Sequence, residues 1–451
     1  MAHQPRDDET PLLAKPDAAA LATAPAARRN KYPFFCAVLA SMTSVLTGYN
    51  VAVMSGAQIF MAEDLGISDA QVEVLLGVIN IYSLAGGVDL RPPQPAPHHR
   101  ARQRLLPRRP ARHGAGGRVR RAHGGPLRRR RRFRIFINTG VMLSYVSNLA
   151  FSGLPAHLSW RVMFAAGVVP TVFLAAGVLT MPESPRWLAM KGRVAEAKAV
   201  LDRTSDTLAE AEQRLLEIEA VVSSGGRSGG GAWKEVATKA GVRRVLAIVL
   251  TLQFFQQSSG IDSVVLYGPR VLAMAGVTSN TLLLSLNVLF GVAKAGSILI
   301  AMALADRVGR RPLLLASTGG MAASLLVLGS LLAAFAGARD DAAVAAASVA
   351  AVVAFVVAFS VGLGPLAWVY SSEILPLRLR GQGAGLGTAM NRVMSGVVTM
   401  TFISLYQAIT MAGAFYLYAA VAAASFVFVY ACLPETRGRS LEDMEELFHT
   451  K

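Results

Sequence analysis

Long apolar runs alternate with short polar segments along most of the chain. Each run is close to the roughly 20 residues that an α-helix needs to cross a bilayer. These runs lie at 34–60, 72–88, 135–152, 161–181, 244–268, 281–304, 312–336, 343–370, 384–407 and 412–433. The pattern therefore predicts an all-α polytopic membrane protein of about ten helices, with four before a long polar interval and six after it.

The polar interval predicts two helix bundles joined by a loop. The expected order is an N-terminal tail at 1–33, a bundle at 34–181, a loop at 182–243, a bundle at 244–433 and a tail at 434–451. The loop combines a charged amphipathic stretch with a flexible Gly/Ser-rich segment. Basic residues cluster beside the loop and both tails, so the positive-inside rule places all three in the cytosol.

A segment of different composition, 89–134, interrupts the first bundle. It holds sixteen arginines, no lysine and one acid, and thus carries nearly all of the formal charge of +17. Its prolines predict that it forms no regular helix, and its charge keeps it out of the bilayer. Such an arginine bias is typical of GC-rich coding DNA read in a shifted frame, which favours a frameshift, a deletion or an error of gene prediction.

The competing interpretation of this tract is binding to nucleic acid or to anionic lipid headgroups. Aromatic side chains that could stack on bases are nearly absent from it, apart from Phe133. We therefore expect membrane lipid, and no nucleic acid, among the partners of this chain.

The sequence offers little that resembles enzymatic chemistry. The two cysteines, Cys36 and Cys432, lie far apart in apolar runs, and no predicted helix interior contains a histidine, so we expect no metal site. Neither a nucleophile–base constellation nor a phosphate-binding loop is found. We expect an integral membrane protein without a cofactor that is not an enzyme, in the plasma membrane or, alternatively, the vacuolar membrane.

Several short motifs follow one another in a fixed order. They are GYN at 48–50 with MSG at 54–56, PESPRWL at 182–188, QQSSGID at 256–262, DRVGRR at 306–311, GLGPLAWVYSSEILPLRLRG at 362–381 and PETRGRSLE at 434–442. This ordered set resembles the sugar porter family of the major facilitator superfamily, and is most similar to plant polyol and monosaccharide transporters. The resemblance implies symport of a sugar or polyol with a proton, by alternating access of two bundles.

The resemblance also implies a substrate site in the helix interiors. Its members are Gln256, Gln257, Asp262, Trp368, Asn391 and Asn138. Their polar groups can pair the hydroxyls of a desolvated polyol. The helix can open at Gly260, after both glutamines, and again before Trp368, which follows a Gly-Pro breaker. The alternative is that these side chains serve only interhelical hydrogen bonds and packing.

Asp262 and Lys294 are the only evident charges deep in the predicted spans. Because an isolated charge in a bilayer is costly, we expect them to approach each other. Proton-coupled members of the family commonly carry an aspartate at the position of Asn50, which cannot titrate. Asp262 and Lys294 are then the candidates for proton coupling, and facilitated diffusion without a proton is the alternative.

The resemblance places charged motif residues at a cytosolic gate that closes through ion pairs. The set is Glu183, Arg186, Asp306, Arg310, Arg311, Glu373, Arg380, Glu435 and Arg437. The alternative is that the basic residues only set the topology, and the two roles are compatible.

The family's third and fourth helices are missing from this chain. They are expected between residues 87 and 136, where the arginine tract stands instead. A further alternative is therefore a degenerate copy that does not transport, or a sugar sensor. Among substrates, linear polyols, cyclitols and hexoses all stay open.

Overall fold

The described part of the chain is built from helices and contains no β-strand. A computed structural model describes residues 32–87, 125–179, 181–205, 208–225, 238–277, 279–335, 342–376 and 379–437. The predicted tails up to residue 31 and beyond 437, and the arginine tract up to residue 124, lie outside the described residues. The prediction of an all-α architecture is confirmed.

The described residues of the first half form four long helices. They are α1 (Tyr32–Leu65), α2 (Asp69–Gly87), α3 (Gly125–Ala150) and α4 (Ala156–Leu179). Because α3 begins before the predicted start at 135, the prediction that the arginine tract forms no regular helix is wrong for 125–134. Pro126 lies in the first turn, where its missing N–H breaks no hydrogen bond, and arginine has a high helix propensity.

The loop after α4 folds into three shorter helices, α5 (Pro185–Met190), α6 (Val194–Thr204) and α7 (Leu208–Gly225). With the chain up to Val38, the segment Met181–Ser224 forms the smaller of two compact units. Its core comprises Leu188, Ala189 and Ala197, with Trp187, Val200, Leu215, Ile218 and Val222 packed against them. These apolar faces explain why the amphipathic stretch is helical.

Seven helices lie among the described residues of the second half. They are α8 (Ala240–Ser258), α9 (Ile261–Met274), α10 (Asn280–Arg307), α11 (Arg310–Ala334), α12 (Ala342–Val361), α13 (Leu363–Ile374) and α14 (Arg380–Cys432). They lie with most of the first half in the larger unit, Leu39–Thr180 and Gly225–Lys451. The last two predicted spans correspond to two helical segments of α14, which meet at Thr410, where the backbone leaves helical geometry with φ of 70°.

By length and composition, six helical stretches among the described residues are able to cross a membrane. They are Phe34–Leu65, Ala156–Leu179, Asn280–Ala305, Arg310–Ala334, Ala342–Ile374 and Arg380–Cys432. Some predicted spans are divided, and the one at 244–268 becomes α8 and α9, of which α9 has only 14 residues. Hydropathy thus locates the spans but does not show where they break.

Gly260 separates α8 from α9, and its backbone is left-handed, with φ of 81°. A Cβ atom there would lie 2.5 Å from Cδ2 of the Tyr418 ring. Only glycine meets both conditions without strain. The predicted opening of the helix after the glutamines is therefore present.

Gly362 separates α12 from α13 within Ala342–Ile374, a stretch that is able to span a membrane. Water cannot pair freed backbone groups inside a bilayer. One side chain of α11 pairs both ends. Ser317 Oγ accepts the N–H of Leu363 at 2.9 Å and donates to the Ala358 carbonyl at 2.7 Å. The broken helix is thus held by a single hydroxyl group.

The two halves pack together where α2 meets α14 and where α3 meets α10. The first of these contacts, here called the α2–α14 seam, joins the halves over much of the length of α2. On the second, Gly291 of α10 faces Tyr145 and Met142 of α3.

Within the first half, α1 and α3 touch through their backbones at two glycines. A Cβ at Gly48 would lie 1.9 Å from the Ile137 carbonyl oxygen, and one at Gly140 would lie 1.9 Å from that of Val45. Small residues permit this close approach of membrane helices.

We expect Gly140→Ala to force α1 and α3 apart and to cost about 1–3 kcal/mol, as overpacking does. The thermal unfolding midpoint of the detergent-solubilised protein should fall. Gly296→Ala is the matched control, because a Cβ there meets nothing within 4 Å. Equal midpoints for the two variants would contradict the close contact.

Candidate functional site

Three glutamines lie near the end of α8, directly before the break at Gly260. Gln253, Gln256 and Gln257 are all buried, and their spacing places them on one side of the helix. Gln256 Nε2 donates to the Gly364 carbonyl at 2.7 Å and to that of Leu363 at 3.3 Å. This side chain therefore ties α8 to the start of α13, beside the second break.

Asn391 of α14 connects the three glutamines. Its Nδ2 donates to Gln256 Oε1 at 2.8 Å and to Gln253 Oε1 at 3.0 Å. Its Oδ1 accepts from Gln257 Nε2 at 3.4 Å and from Arg392 Nη2 at 3.0 Å. Gln253, Gln256, Gln257 and Asn391 are together called the amide cluster below.

Asp262, in the first turn of α9, is attached to this cluster. Its Oδ2 accepts from Gln257 Nε2 at 3.1 Å and also contacts Ser395 Oγ of α14. A half-buried carboxylate and four amides thus lie together where α8 and α9 meet. Such a group can pair several hydroxyls at once, and it includes one group that can take up a proton.

The remaining predicted site residues occupy different surroundings. Trp368 is half-buried on α13, one turn after the Gly364 carbonyl that Gln256 binds, and Asn138 is buried on α3. Asn50 is exposed on α1. Lys294 of α10 lies within electrostatic range of Asp262. The two do not form one of the direct ion pairs found among the described residues.

Sequence reasoning missed three polar residues near the site. Two of them, Ser395 and Thr399, follow Asn391 at four-residue intervals and lie on the same side of α14. The third is Asn80 of α2. Ser395 Oγ lies 3.0 Å from Asn80 Oδ1 of α2. The four-residue repeat of polar side chains within an apolar span was the available signal.

The halves are also joined at the predicted extracellular end of the α2–α14 seam. The buried carboxylate of Glu73 accepts the N–H of Ser404 at 2.9 Å and its hydroxyl at 2.7 Å. Asp69 pairs with Arg270 at 2.5 Å and accepts from Gln407 at 3.2 Å. These contacts connect α2 to α9 and α14.

The expectation that Asp262 and Lys294 are the only evident charges deep in the spans is wrong for Arg392. This residue is half-buried near the middle of the α14 segment that precedes Thr410, and Glu73 is buried in the second turn of α2. Both carry hydrogen-bonded partners, Asn391 and Ser404 respectively, which lowers the cost of burial.

Charged side chains also meet at the predicted cytosolic end of the second half. Arg310 pairs with Glu373 at 3.1 Å, and the Thr436 hydroxyl donates to the other oxygen of Glu373 at 2.6 Å. Arg437 Nη1 donates to the Arg307 carbonyl at 2.6 Å, and Arg311 Nη2 donates to that of Tyr430 at 2.7 Å. Four predicted gate residues, Arg310, Arg311, Glu373 and Arg437, thus lie together, and Glu435 is the fifth.

Glu435 caps the start of α11 from another segment of the chain. Its carboxylate accepts the N–H of Arg310 and that of Arg311, each at 3.0 Å. Desolvation acts to raise the pKa of Glu435, but the backbone donors of Arg310, Arg437, Arg311 and Thr436 outweigh it. The net pKa is lowered from the ordinary value of 4.5.

The other predicted gate residues are placed differently. Arg380 Nη2 donates to the Leu375 carbonyl at 3.5 Å, at the start of α14. Glu183 and Arg186 are exposed and belong to the smaller unit. Asp306 lies in the last turn of α10, and its side chain is outside the described part of the structure.

We expect Glu373→Ala to destabilise the protein by about 3 kcal/mol, because it leaves the buried Arg310 guanidinium without its carboxylate. Glu196→Ala removes an ion pair to Arg193 that is half exposed, and should cost less than about 1 kcal/mol. Chemical unfolding of both variants checks the difference. A cost for Glu373→Ala no larger than that for Glu196→Ala would contradict the burial of the pair.

The lowered pKa of Glu435 predicts an acid-sensitive part of the stability. That part is fully present above pH 4.5 and is lost as the pH falls through the lowered pKa, since protonation removes the acceptor. Unfolding midpoints measured across this range should decline less in Glu435→Gln than in the unmodified protein. Parallel declines in the two would show that Glu435 makes no such contribution.

Comparisons with known proteins agree with this arrangement. The family described as Sugar (and other) transporter matches residues 132–448. The chain is 43% identical to Polyol transporter 5 of Arabidopsis thaliana, over 93% of this chain and 87% of that protein. It is 34% identical to the Facilitated trehalose transporter Tret1 of Bombyx mori, over 69% of this chain and 59% of that protein.

The alignment with Polyol transporter 5 also bears on the missing helices. It extends over 472 positions but uses only 93% of the 451 residues here, so several tens of positions of the relative have no counterpart. A deficit of that size is large enough to hold two membrane helices of about 20 residues each.

Solved structures share the fold. The proton:xylose symporter XylE bound to 6-bromo-6-deoxy-D-glucose gives a TM-score of 0.63 at 22% identity, over 93% of this chain and 100% of that one. The partially occluded inward open conformation of XylE from E. coli gives 0.65 at 21% identity, over 91% and 100%. The fold is that of the major facilitator superfamily.

Family match, identity and fold lead to the same conclusion, and a degenerate copy finds no support in them. The chain belongs to the sugar transporter family of the major facilitator superfamily, whose members are multi-pass membrane transporters of sugars or polyols and not enzymes.

Proposed function

We propose that this chain moves a sugar or polyol across the membrane together with a proton, by alternating access of two bundles around a central site. The observation that carries the proposal is the amide cluster at the broken α8–α9 helix, with the Asp262 carboxylate hydrogen-bonded to it through Gln257.

The amide cluster has the chemistry that a polyol needs. Each glutamine and asparagine offers an acceptor oxygen and a two-hydrogen donor, and a hydroxyl both donates and accepts. The amides now bond to one another, so a bound substrate exchanges those bonds for its own and leaves no amide unpaired. Trp368 would cover an apolar face of the substrate, and Asn138 would contribute from the first half.

Proton coupling in this proposal passes through Asp262. Asn50 has no ionisable group, whereas the carboxylate of Asp262 is in direct contact with the amide cluster. Lys294 lies within electrostatic range of Asp262. The relative of known structure that shares this fold is named as a proton symporter.

At the cytosolic end, the pairs around Glu373 and Glu435 would form half of a gate, with Glu183, Arg186, Asp306 and Arg380 as its remaining members. All but two of these residues lie in the larger unit. We place the transporter in the plasma membrane, with the vacuolar membrane as the alternative. A fluorescent fusion in plant cells distinguishes the two.

Facilitated diffusion without a proton is the second candidate function. The observation that favours it is Asn50, which replaces the expected acid. One relative, from Bombyx mori, is named as a facilitated transporter.

The test uses purified protein in liposomes that contain a pH-sensitive dye, with a panel of linear polyols, cyclitols and hexoses. Addition of the correct substrate outside should acidify the lumen. Asp262→Asn should abolish the acidification and retain exchange of labelled substrate, because the amide cluster stays intact while the titratable group is lost.

If the unmodified protein transports the substrate without acidifying the lumen, the mechanism is facilitated diffusion and the proposal of symport is wrong. Folded protein that binds a substrate but exchanges none would instead indicate a sensor.

We further expect Gln256→Ala to weaken substrate binding roughly tenfold, since one lost hydrogen bond contributes about 1 kcal/mol or slightly more. Calorimetric titration of detergent-solubilised protein measures this. The matched control is Gln407→Ala, on the same half but at the extracellular end, where it contacts Asp69. Equal substrate affinities of the two variants would show that Gln256 does not bind the substrate.

A further inference from the structure

Ser395 of α14 is completely buried between two oxygen atoms of other helices. On one side its Oγ contacts Asp262 Oδ2 of α9, and on the other it lies 3.0 Å from Asn80 Oδ1 of α2. A serine hydroxyl has a single hydrogen. It therefore cannot donate to the carboxylate and to the amide oxygen at the same time.

The protonation of Asp262 decides where this hydrogen points. If Asp262 is ionised, its oxygen accepts the hydrogen bond from the Ser395 hydroxyl. Asn80 Oδ1 then faces the Ser395 oxygen without a hydrogen between them. If Asp262 carries a proton, it donates to Ser395, and Ser395 then donates to Asn80. The protonated form therefore satisfies every group in this row, including Asn80 Nδ2, which donates to Thr399 at 3.4 Å.

Rotation of the Asn80 amide does not remove the conflict. It would let Nδ2 donate to Ser395, but would bring Oδ1 against the Thr399 hydroxyl oxygen. The hydrogen of Thr399 is already donated to the Ser395 carbonyl at 2.8 Å. After the rotation, Asn80 Oδ1 would still lack a donor, but beside Thr399 and no longer beside Ser395.

Charged and titratable groups surround Asp262 from the other helices that reach it. Lys294 of α10 and Tyr145 of α3 are within electrostatic range, and Arg392 of α14 binds the neighbouring Asn391. Lys294 supplies a positive charge within range of the carboxylate, whereas the row through Ser395 to Asn80 is fully paired only when Asp262 carries a proton. Opposed influences of this kind allow a carboxyl group to load and release a proton.

The row also crosses from one half to the other. Asn80 belongs to α2, and both Ser395 and Asp262 belong to the second half. Glu73, which binds Ser404 on the same seam, lies two helical turns from Asn80 toward the predicted extracellular end. The hydrogen bond from Ser395 to Asn80 is thus the inner part of the contact that holds the α2–α14 seam closed.

We propose that Ser395 and Asn80 transmit the protonation of Asp262 to the contact between the two halves. This rests on the proposed function as a symporter. A proton taken from the extracellular water by Asp262 turns the Ser395 hydrogen toward Asn80 and closes the seam. Its release from Asp262 to the cytosol turns that hydrogen back, frees Asn80 and lets α2 and α14 separate. Ser395 and Asn80 are positioning residues in this scheme, and no proton is gained or lost by them.

The test compares two transport modes in liposomes, with labelled substrate added outside and unlabelled substrate inside only for the exchange measurement. Exchange at equal pH requires the site and the movement of the halves, whereas accumulation driven by a pH gradient also requires coupling. Ser395→Ala should retain exchange within a few-fold and should lose accumulation, and its uptake should respond less to pH.

Asn80→Ala tests the same bond from the other half and leaves the hydrogen bonds of Asp262 intact. The double variant should be no worse than either single variant, because one chain of bonds is broken in each case. The matched control is Thr401→Val, since the exposed Thr401 hydroxyl donates only to Val397 of its own helix, at 2.7 Å. It should accumulate substrate like the unmodified protein.

Full accumulation by both Ser395→Ala and Asn80→Ala, while the unmodified protein also accumulates, would overturn this inference and leave symport standing. A lack of accumulation by the unmodified protein, with exchange intact, would overturn symport and this inference together. Equal loss of exchange and accumulation in both variants would assign Ser395 and Asn80 to substrate binding or folding and would reject the coupling role.

Discussion

A membrane interior supplies no water to a broken helix, and the second half of this protein contains two broken helices side by side. Each break must therefore be repaired by a polar side chain from a neighbour. Ser317 pairs both ends at Gly362, and Gln256 donates to the carbonyls just beyond that break. The same requirement gathers Asn391 and the other glutamines beside Gly260. The polar groups that keep the fold intact are thus also the ones available to a substrate.

The two ends of the molecule are held differently. At the predicted extracellular end, Glu73 and Asp69 of the first half bind Ser404 and Arg270 of the second. At the predicted cytosolic end, the described contacts of Arg310, Glu373 and Glu435 stay within the second half. The α2–α14 seam is therefore closed at the predicted extracellular end.

Most of the fold could be predicted from the sequence, because hydropathy and the ordered motifs constrain helix position and family. The glutamine pair, Asn391 and the opening at Gly260 were predictable for the same reason. The polar side of α14 that includes Ser395 was predictable from its four-residue spacing, but the contacts of Ser395 and Glu73 were not, since they depend on which helix of the other half faces them. The start of α3 was misjudged because prolines were weighed by number, although Pro126 in the first turn is compatible with a helix.

The central claim is that the amide cluster binds the substrate. The most direct measurement is an experimental structure with a bound polyol or sugar, obtained from the protein that shows the strongest transport of that compound. The account predicts substrate hydroxyls within hydrogen-bond distance of Gln256, Gln257 and Asn391, with the present amide–amide bonds broken. A substrate bound elsewhere, with those bonds still in place, would contradict it.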